Sequence, residues 1–505
     1  MRTLYRAALV RTLTYPQTGE WLLTDGRHVE RVGSGEPPTA DRTVELPGAT
    51  IVPGFIDTHV HLTPTGSALA NADVESATSK DALLAIARAR RDAGAKDVIA
   101  LQGFDETRWD RRVHPTLAEL DDVVGDVPLA IFRLDGHLAL ANRAAVAASG
   151  TAVEVGVERD DAGEPTGRLT QVANDKLRRW VTAAMTDHDI QELQLKAAGL
   201  AAARGVTAVH EMQMPHSAGL RDLQVFLGHR AQLPVDAFAI VATMDLPLVI
   251  DHGFAAVGGD LPVDGSVGAR TAALSAPYDD GAGDGTLYYE DDELADFFHS
   301  GHAAGLQVGV HAIGDRAIEQ VLRTWERVYQ ALDSRERRHF RARRHRVEHF
   351  EMPSLAHIER AAMLGLAVSV QPTFDDRWGG PGGLYESNLG QGRATSMNPV
   401  RTMLERGVEV GAGSDSPITP LDPLLSVRAL EHHHAADQRL SRFEAIRMHT
   451  IGSARLAHQE EKKGALGHGM HADLVAFDAD PFEAPALEDL SAVLTVSLGR
   501  EVFAA

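Results

Sequence analysis

The sequence predicts an α/β protein built on a parallel (β/α)8 barrel, and three observations carry that expectation. Short β-branched runs alternate with Ala-rich, helix-prone stretches such as SKDALLAIARARRDAGA and QELQLKAAGLAAARG through the middle of the chain; this is the order of parallel β/α units. The β-like runs there begin apolar and turn polar at their C-terminal ends, where barrel enzymes keep their working residues. The two ends of the chain differ: RAALVRTL, EWLLTDGRHVERVGSG and RTVELPGATIV, then ADLVAFDADPF and AVLTVSLGREVFAA, read as strands and turns without helices.

Taken in order, the strand candidates are IVPGFIDTHVH, DVIALQGFDE, PLAIFRLDGH, GVTAVHEM, PVDAFAIVAT, LQVGVHAIGD, HRVEHFE, LAVSVQPTF and VEVGAGSD. Nine candidates for eight places assign one to an inserted segment, and one of the pair at 97–104 and 128–135 is expected to be it. The glycine-rich stretches DDGAGDG (279–285) and RWGGPGGLYESNLGQG (377–392) read either as loops over a site or as plain surface turns. The basic run SRERRHFRARRHR (334–346) has interspersed Glu and leads into a strand, so it reads as a solvated helix and loop.

A chain of 505 residues with 44% apolar and 24% charged residues is an ordinary soluble composition, enough for two domains or one barrel with additions. Its net charge of −22 disfavours nonspecific binding to nucleic acid or to an anionic membrane. No apolar run approaches the ~18 residues of a membrane span, and the start shows no sustained apolar core of a signal peptide. With no cysteine at all, a metal must sit on His, Asp, Glu or a modified Lys. Lack of cysteine also fits a cytoplasmic location. A small-molecule substrate and, by default among soluble oligomers, a homodimer are expected.

GATIVPGFIDTHVHL (48–62) holds His59 and His61 in an otherwise apolar run. On a strand, Asp57, His59 and His61 share one face, where two imidazoles can chelate a metal. With 24 histidines in 505 residues, one His-x-His pair is expected by chance, so context must decide. A second such pair, His432 and His434 in EHHHAAD, reads as a polar helix face or turn. The other strand ends contribute His210 and Glu211, His311, His349 and Asp415. Four of the histidines and one aspartate form a candidate set for zinc, or less favourably for iron or manganese. His345, flanked by arginines, reads as structural.

PGFIDTHVHL, RLDGHLALANRAAVAASG, DGSVGARTAAL, VHAIGDRAI, RVEHFE, GAGSDSPITPLDPL and GALGHGMHADLVAFD, in this order, resemble the amidohydrolase superfamily. The likeness is to the branch containing N-substituted formamide deformylase. It implies a metal-bearing (β/α)8 barrel with a small β-sandwich built from both termini: residues 1–54 and 463–505 around a barrel at 55–462, with an insertion around 64–130. It further implies His59 and His61 as first-strand ligands, His311 and His349 from the fifth and sixth strands, and Asp415 at the end of the eighth. The branch often carries a fourth-strand lysine that bridges two metals when carboxylated. Here Asp260 stands about there, and no lysine occurs between residues 197 and 461. Three options remain. One metal sits on His59, His61, His311 and Asp415 with His349 behind; or Asp260 or Glu211 takes the bridging role; or the site is degenerate. One ion is favoured.

The expected reaction is hydrolysis of an amide-like C–N bond in an N-acyl or N-formyl compound. Asp415 moves the water proton to the leaving nitrogen, and His349 polarises the carbonyl. The competing readings are a deaminase or cyclic-amide hydrolase of the same superfamily, and a metal-free scaffold. Candidate substrate contacts are Arg133, Asp135 and His137 in RLDGH, Trp109, and Gln371. Tyr278 and Trp378 lie in or beside loops able to cover the site. Gln171 stands where the branch often has an acidic residue.

Overall fold

The computed structural model describes residues 1–71 and 74–505. Eight strands form one parallel sheet in sequential order: β1 (Phe55–Val60), β2 (Val206–Gln213), β3 (Asp236–Val241), β4 (Ala256–Val257), β5 (Gln307–Ala312), β6 (Arg346–His349), β7 (Ala367–Val370) and β8 (Glu409–Ala412). A parallel bridge between Val60 and Ser416 joins the first strand to the segment after the last, closing the barrel. β2 is buried at every one of its positions, as expected of strands covered on both faces.

The helices seat by their small residues. Helix Asp187–Ala203 starts at a capping box between Thr186 and Asp189 and buries Ala197, Ala198, Ala201 and Ala202 against the barrel. Small side chains let it approach β2 closely. Helix Asp315–Ala331 instead uses Trp325, stacked at 4.1 Å on Phe298 and at 4.3 Å on His345. His345 is therefore a packed core residue; its Nδ1 accepts from the Val308 amide at 3.0 Å.

Two of the nine strand candidates lie outside the barrel, rather than one. Ile99–Phe104 and Leu129–Arg133 pair in a separate five-stranded sheet with Leu138–Ala141, Pro165–Thr170 and Val157–Arg159. The place this leaves empty is filled by β4, which is only two residues long. It is short because Gly258 and Gly259 both adopt positive φ, +84° and +58°. A Cβ on Gly258 would lie 2.0 Å from the Gly309 carbonyl oxygen. Only glycine permits that approach and that turn together, and a two-residue strand has no periodicity to read.

Both termini build a third sheet, in the order Arg500–Ala504, Ala492–Ser497, Leu474–Phe477, Arg42–Pro53, Arg2–Arg11, Thr18–Asp25, His28–Gly33. It curls around a core that includes Tyr5, Leu22, Ile51, Leu474 and Val496, and His28 at its far edge bridges back to His471. Its long strand Arg42–Pro53 runs through Gly54 directly into β1. Lys463, buried between Asp473 at 2.7 Å and Asp236 of β3 at 3.1 Å, fastens this sheet to the barrel floor. Among the described residues no helix is long and apolar enough to cross a membrane.

Candidate metal centre

The C-terminal rim of the barrel gathers five of the sequence-predicted residues around a sixth, Asp260. On β1, His59 and His61 do share a face, and Asp57 fixes what stands opposite them. Its carboxylate accepts the Ser414 amide at 3.0 and 3.1 Å, tying the loop after β8 to β1. The Asp415 amide then donates to the His59 carbonyl at 2.7 Å. Asp415 takes a φ of +53° in that loop, and its Oδ1 lies 3.1 Å from His61 Nε2 and 3.4 Å from His59 Nε2.

His349 ends β6 with φ at +70° and is followed by Phe350 at +54°. Two consecutive left-handed residues other than glycine are costly and persist only where the surroundings hold them. Here they turn the imidazole into the rim, where its Nδ1 lies 2.7 Å from Gln371 Oε1 and its Nε2 3.4 Å from Asp260 Oδ1. Asp260 follows the two glycines that end β4. Its Oδ1 lies 3.2 Å from His311 Nδ1 and 3.7 Å from His59 Nε2, and its Oδ2 3.5 Å from His61 Nε2. One carboxylate thus touches all four histidines. Glu211 does not join them: its oxygens accept from the Leu62 amide at 2.9 Å and from Gln213 at 2.8 Å.

A second layer orients the first. His59 Nδ1 lies 3.0 Å from Glu348 Oε2, which leaves Nε2 for the site. Glu348 in turn accepts from Arg346 Nε and Nη2, both at 2.9 Å. Arg346 Nη1 lies 2.9 Å from His210 Nδ1, so His210 is the far end of this buried chain and not a ligand. Asp264 accepts the amides of Ala273, Ile313 and Gly314 at 2.8 to 3.0 Å and holds the loops beside His311.

The electrostatics favour a cation. Burial alone would raise Asp260 and Asp415, but the facing histidines, His59 foremost, hold both below the usual carboxylate range. Burial works against charge on His61 and His311, yet Asp415 and Asp260 respectively push each up to about 9. Among the described residues the buried His59 Nε2 has no hydrogen-bond partner. An orphaned imidazole nitrogen aimed at two carboxylates fits a divalent ion, and imidazole with carboxylate is a donor set for zinc, iron or manganese. His59, His61 and Asp415 bring their donor atoms close enough to share one ion, as do His59, Asp260 and His349.

Of the expected substrate contacts, Asp135 and His137 line the cavity over the rim. His137 stands 5.3 Å from the His311 ring, and burial lowers it to about 4, so it is a neutral imidazole. Arg133 is buried in a bridge to Glu106 at 2.9 Å and Asp135 at 2.6 Å, and borders a second, smaller lobe. Trp109 is turned into the core of the inserted sheet, its Nε1 donating to the Ala77 carbonyl at 3.0 Å, so it lines neither lobe. Gln371 orients His349 instead of facing the cavity. Tyr278 is buried with its hydroxyl on the Ala272 carbonyl, whereas Trp378, Leu384 and Tyr385 from the 377–392 stretch wall the smaller lobe. Gln171 lines the larger lobe. The second histidine pair is no chelating pair: His432 caps its own helix on the Arg428 carbonyl, and His434 is bonded to Asp375. Asp260 is the residue whose importance exceeds what its sequence context alone conveys; the glycine pair before it is the local signal.

A closed (β/α)8 barrel carrying histidines and carboxylates at the ends of β1, β4, β5, β6 and β8 defines the class of metal-dependent barrel hydrolases. The chain belongs to the Amidohydrolase family, whose sequence model matches residues 42–503. It is similar to YtcJ of Bacillus subtilis (strain 168), 28% identical over 486 residues that cover 89% of this chain and 87% of that one. It is similar also to the N-substituted formamide deformylase of Arthrobacter pascens, at 25% identity over 91% of this chain and 88% of the other. Among solved structures, an uncharacterized metal-dependent hydrolase from Pyrococcus horikoshii OT3 superposes with a TM-score of 0.75 at 25% identity, covering 96% of this chain and 99% of that one.

Proposed function

We propose that this chain hydrolyses an amide-like C–N bond in a small molecule, and that its centre holds two divalent ions, zinc first among the candidates. The observation that carries the second ion is Asp260. Its Oδ1 faces His311 and His349, its Oδ2 faces His61, and Asp415 backs His59 and His61 from the other side. Such a carboxylate stands between two donor sets, which weighs against the single ion favoured on sequence grounds. His59, His61 and Asp415 would hold one ion, His311 and His349 the other, with Asp260 shared.

When bound, such ions lower the pKa of water to about 7 and polarise a carbonyl oxygen. The protein's own groups do the rest. Asp415, ionised and at the cavity wall, accepts the proton of the attacking water and passes it to the leaving nitrogen as the C–N bond breaks. The products are a carboxylic acid and an amine. The neutral imidazole of His137, beside His311, is placed to donate to the carbonyl oxygen as negative charge develops there. Glu348 and Gln371 keep His59 and His349 in their working orientation.

Elemental analysis of protein purified without chelator, together with an amide-library screen, tests this reading. Two equivalents of metal, with release of acid and amine, are expected. One equivalent would return the site to the mononuclear arrangement. Ammonia release would indicate the deaminase alternative, and protein that takes up no metal after reloading would leave only the scaffold.

A further inference from the structure

Arg178 lies on helix Gln171–Ala183, on the same wall of the larger lobe as Gln171, Asn174 and Asp175. Its guanidinium stacks on Phe132 at 4.1 Å. One Nη donates to Gln102 Oε1 at 3.1 Å and the other to the Gly136 carbonyl at 3.4 Å. These contacts fix the plane of the fork but use only two of its five N–H groups. Among the described residues no carboxylate forms an ion pair with it, although two buried arginines, Arg133 of the inserted sheet and Arg346 of β6, are both paired with carboxylates. Arg178 is half-buried, and a partly desolvated cation without an anionic partner is costly. Burial lowers Arg178 to about 10, and Asp175 and Asp135 only partly offset this. Asp175, pushed up by burial, is drawn down only in part by His216, Arg178 and Arg179.

The position is close to the chemistry. Gly136, whose carbonyl Arg178 holds, adjoins His137, and His137 packs on His311. The two lobes meet at Asp135, His137, His311, His349 and Asp415. The smaller lobe is walled by Ile313, Phe374, Trp378 and Leu384. We propose that Arg178 receives a carboxylate of the substrate, so that the preferred substrates are amides with an anionic group on one side of the scissile bond and an apolar group on the other. This rests on the hydrolase reading above and narrows it, because a simple N-substituted formamide carries no such anion.

The test measures binding by calorimetry to the metal-loaded full-length protein, with N-benzoylglycine and its uncharged counterpart N-ethylbenzamide as probes. The wild type is expected to prefer the carboxylate probe by about tenfold or more, the scale of a charge-assisted hydrogen bond. Arg178→Gln should abolish that preference. Arg178→Lys, which keeps the charge without the planar fork, should keep part of it. Metal content and thermal midpoint report whether each variant is folded. Equal affinity for the two probes in the wild type, failure of both to bind at millimolar concentration, or a preference that survives Arg178→Gln in folded protein would each overturn the assignment. A carboxylate preference lost in Arg178→Gln, in protein that hydrolyses neither probe, would uphold the subsite and count against the hydrolase reading alone.

Discussion

Glu348→Gln should separate stability from metal binding. Arg346 and Glu348 are i and i+2 on β6, so both point into the barrel, and both are almost fully buried. Glu348 receives two hydrogen bonds from Arg346 and faces His59 Nδ1. Removing its charge leaves the arginine with the Thr58 carbonyl and His210, neither of them an anion. Breaking one partner of a buried pair costs about 3–5 kcal/mol. His59 also loses the carboxylate that sets its tautomer, which lowers metal affinity by about 10- to 100-fold. Urea titration of metal-free protein reads the first effect, and competition with a chromophoric chelator reads the second. Adding Arg346→Met removes the stranded charge, so the double variant should recover much of the stability and none of the metal affinity. Wild-type metal affinity in Glu348→Gln would refute the orienting role. A double variant as unstable as the single one would refute the stranded-charge account.

Three further outcomes are expected. Asp415→Asn removes the proton acceptor, so kcat on any substrate found should fall by about 10²–10⁴-fold; a variant reloaded with metal that keeps wild-type kcat would assign the proton to another group. Gly258→Ala forces a Cβ to within 2.0 Å of the Gly309 carbonyl oxygen at a φ of +84°. It should cost about 1–3 kcal/mol in urea titration and displace Asp260, so retention of both stability and metal stoichiometry would contradict the role given to β4. His449 is buried against Ser426 and Phe55 and held down to about 3 by that burial. The unfolded chain binds its proton below about 6.5 while the folded chain does not, so stability is full above 6.5 and falls by up to about 1.4 kcal/mol per unit as pH drops toward 3. His449→Gln should flatten the urea midpoint between pH 6 and 4; an unchanged slope would show that His449 is not among the groups that set it.

The barrel was legible because parallel strands covered on both faces are apolar runs, and a polar residue at such a run's end stands out. His59, His61, His311, His349 and Asp415 were found that way, and the structure brings all five to one rim. What escaped was set by contacts distant in sequence. β4 is too short to show a period, and both candidates at 97–104 and 128–135 have strand-like sequences whichever sheet they join. Trp109 and Gln371 are polar-tipped residues beside a site, a description that suits a substrate contact as well as a core residue or an orienting partner. Arg178 sits on a helix of the inserted segment, and only the lack of an ion pair among the described residues singles it out, which no linear pattern records.

The strand that delivers His59 and His61 is the continuation of Arg42–Pro53. That segment is flanked on one side by Arg2–Arg11, in parallel, and on the other by Leu474–Phe477, antiparallel, with Leu474 opposite Pro53. Residues from opposite ends of the chain therefore meet two positions before the barrel begins. Strain from a misplaced tail is passed along a single stretch of backbone to His59 and His61, the first two of the proposed ligands. A slipped pairing at the tail would exchange the inward and outward faces of the tail strand and disturb the backbone that leads into His59 and His61. The terminal sheet thus acts as a vernier for the metal centre. Substitutions at Leu474 or Val475, at the opposite end of the barrel strand from the metal centre, should register in metal stoichiometry before they register in the fold.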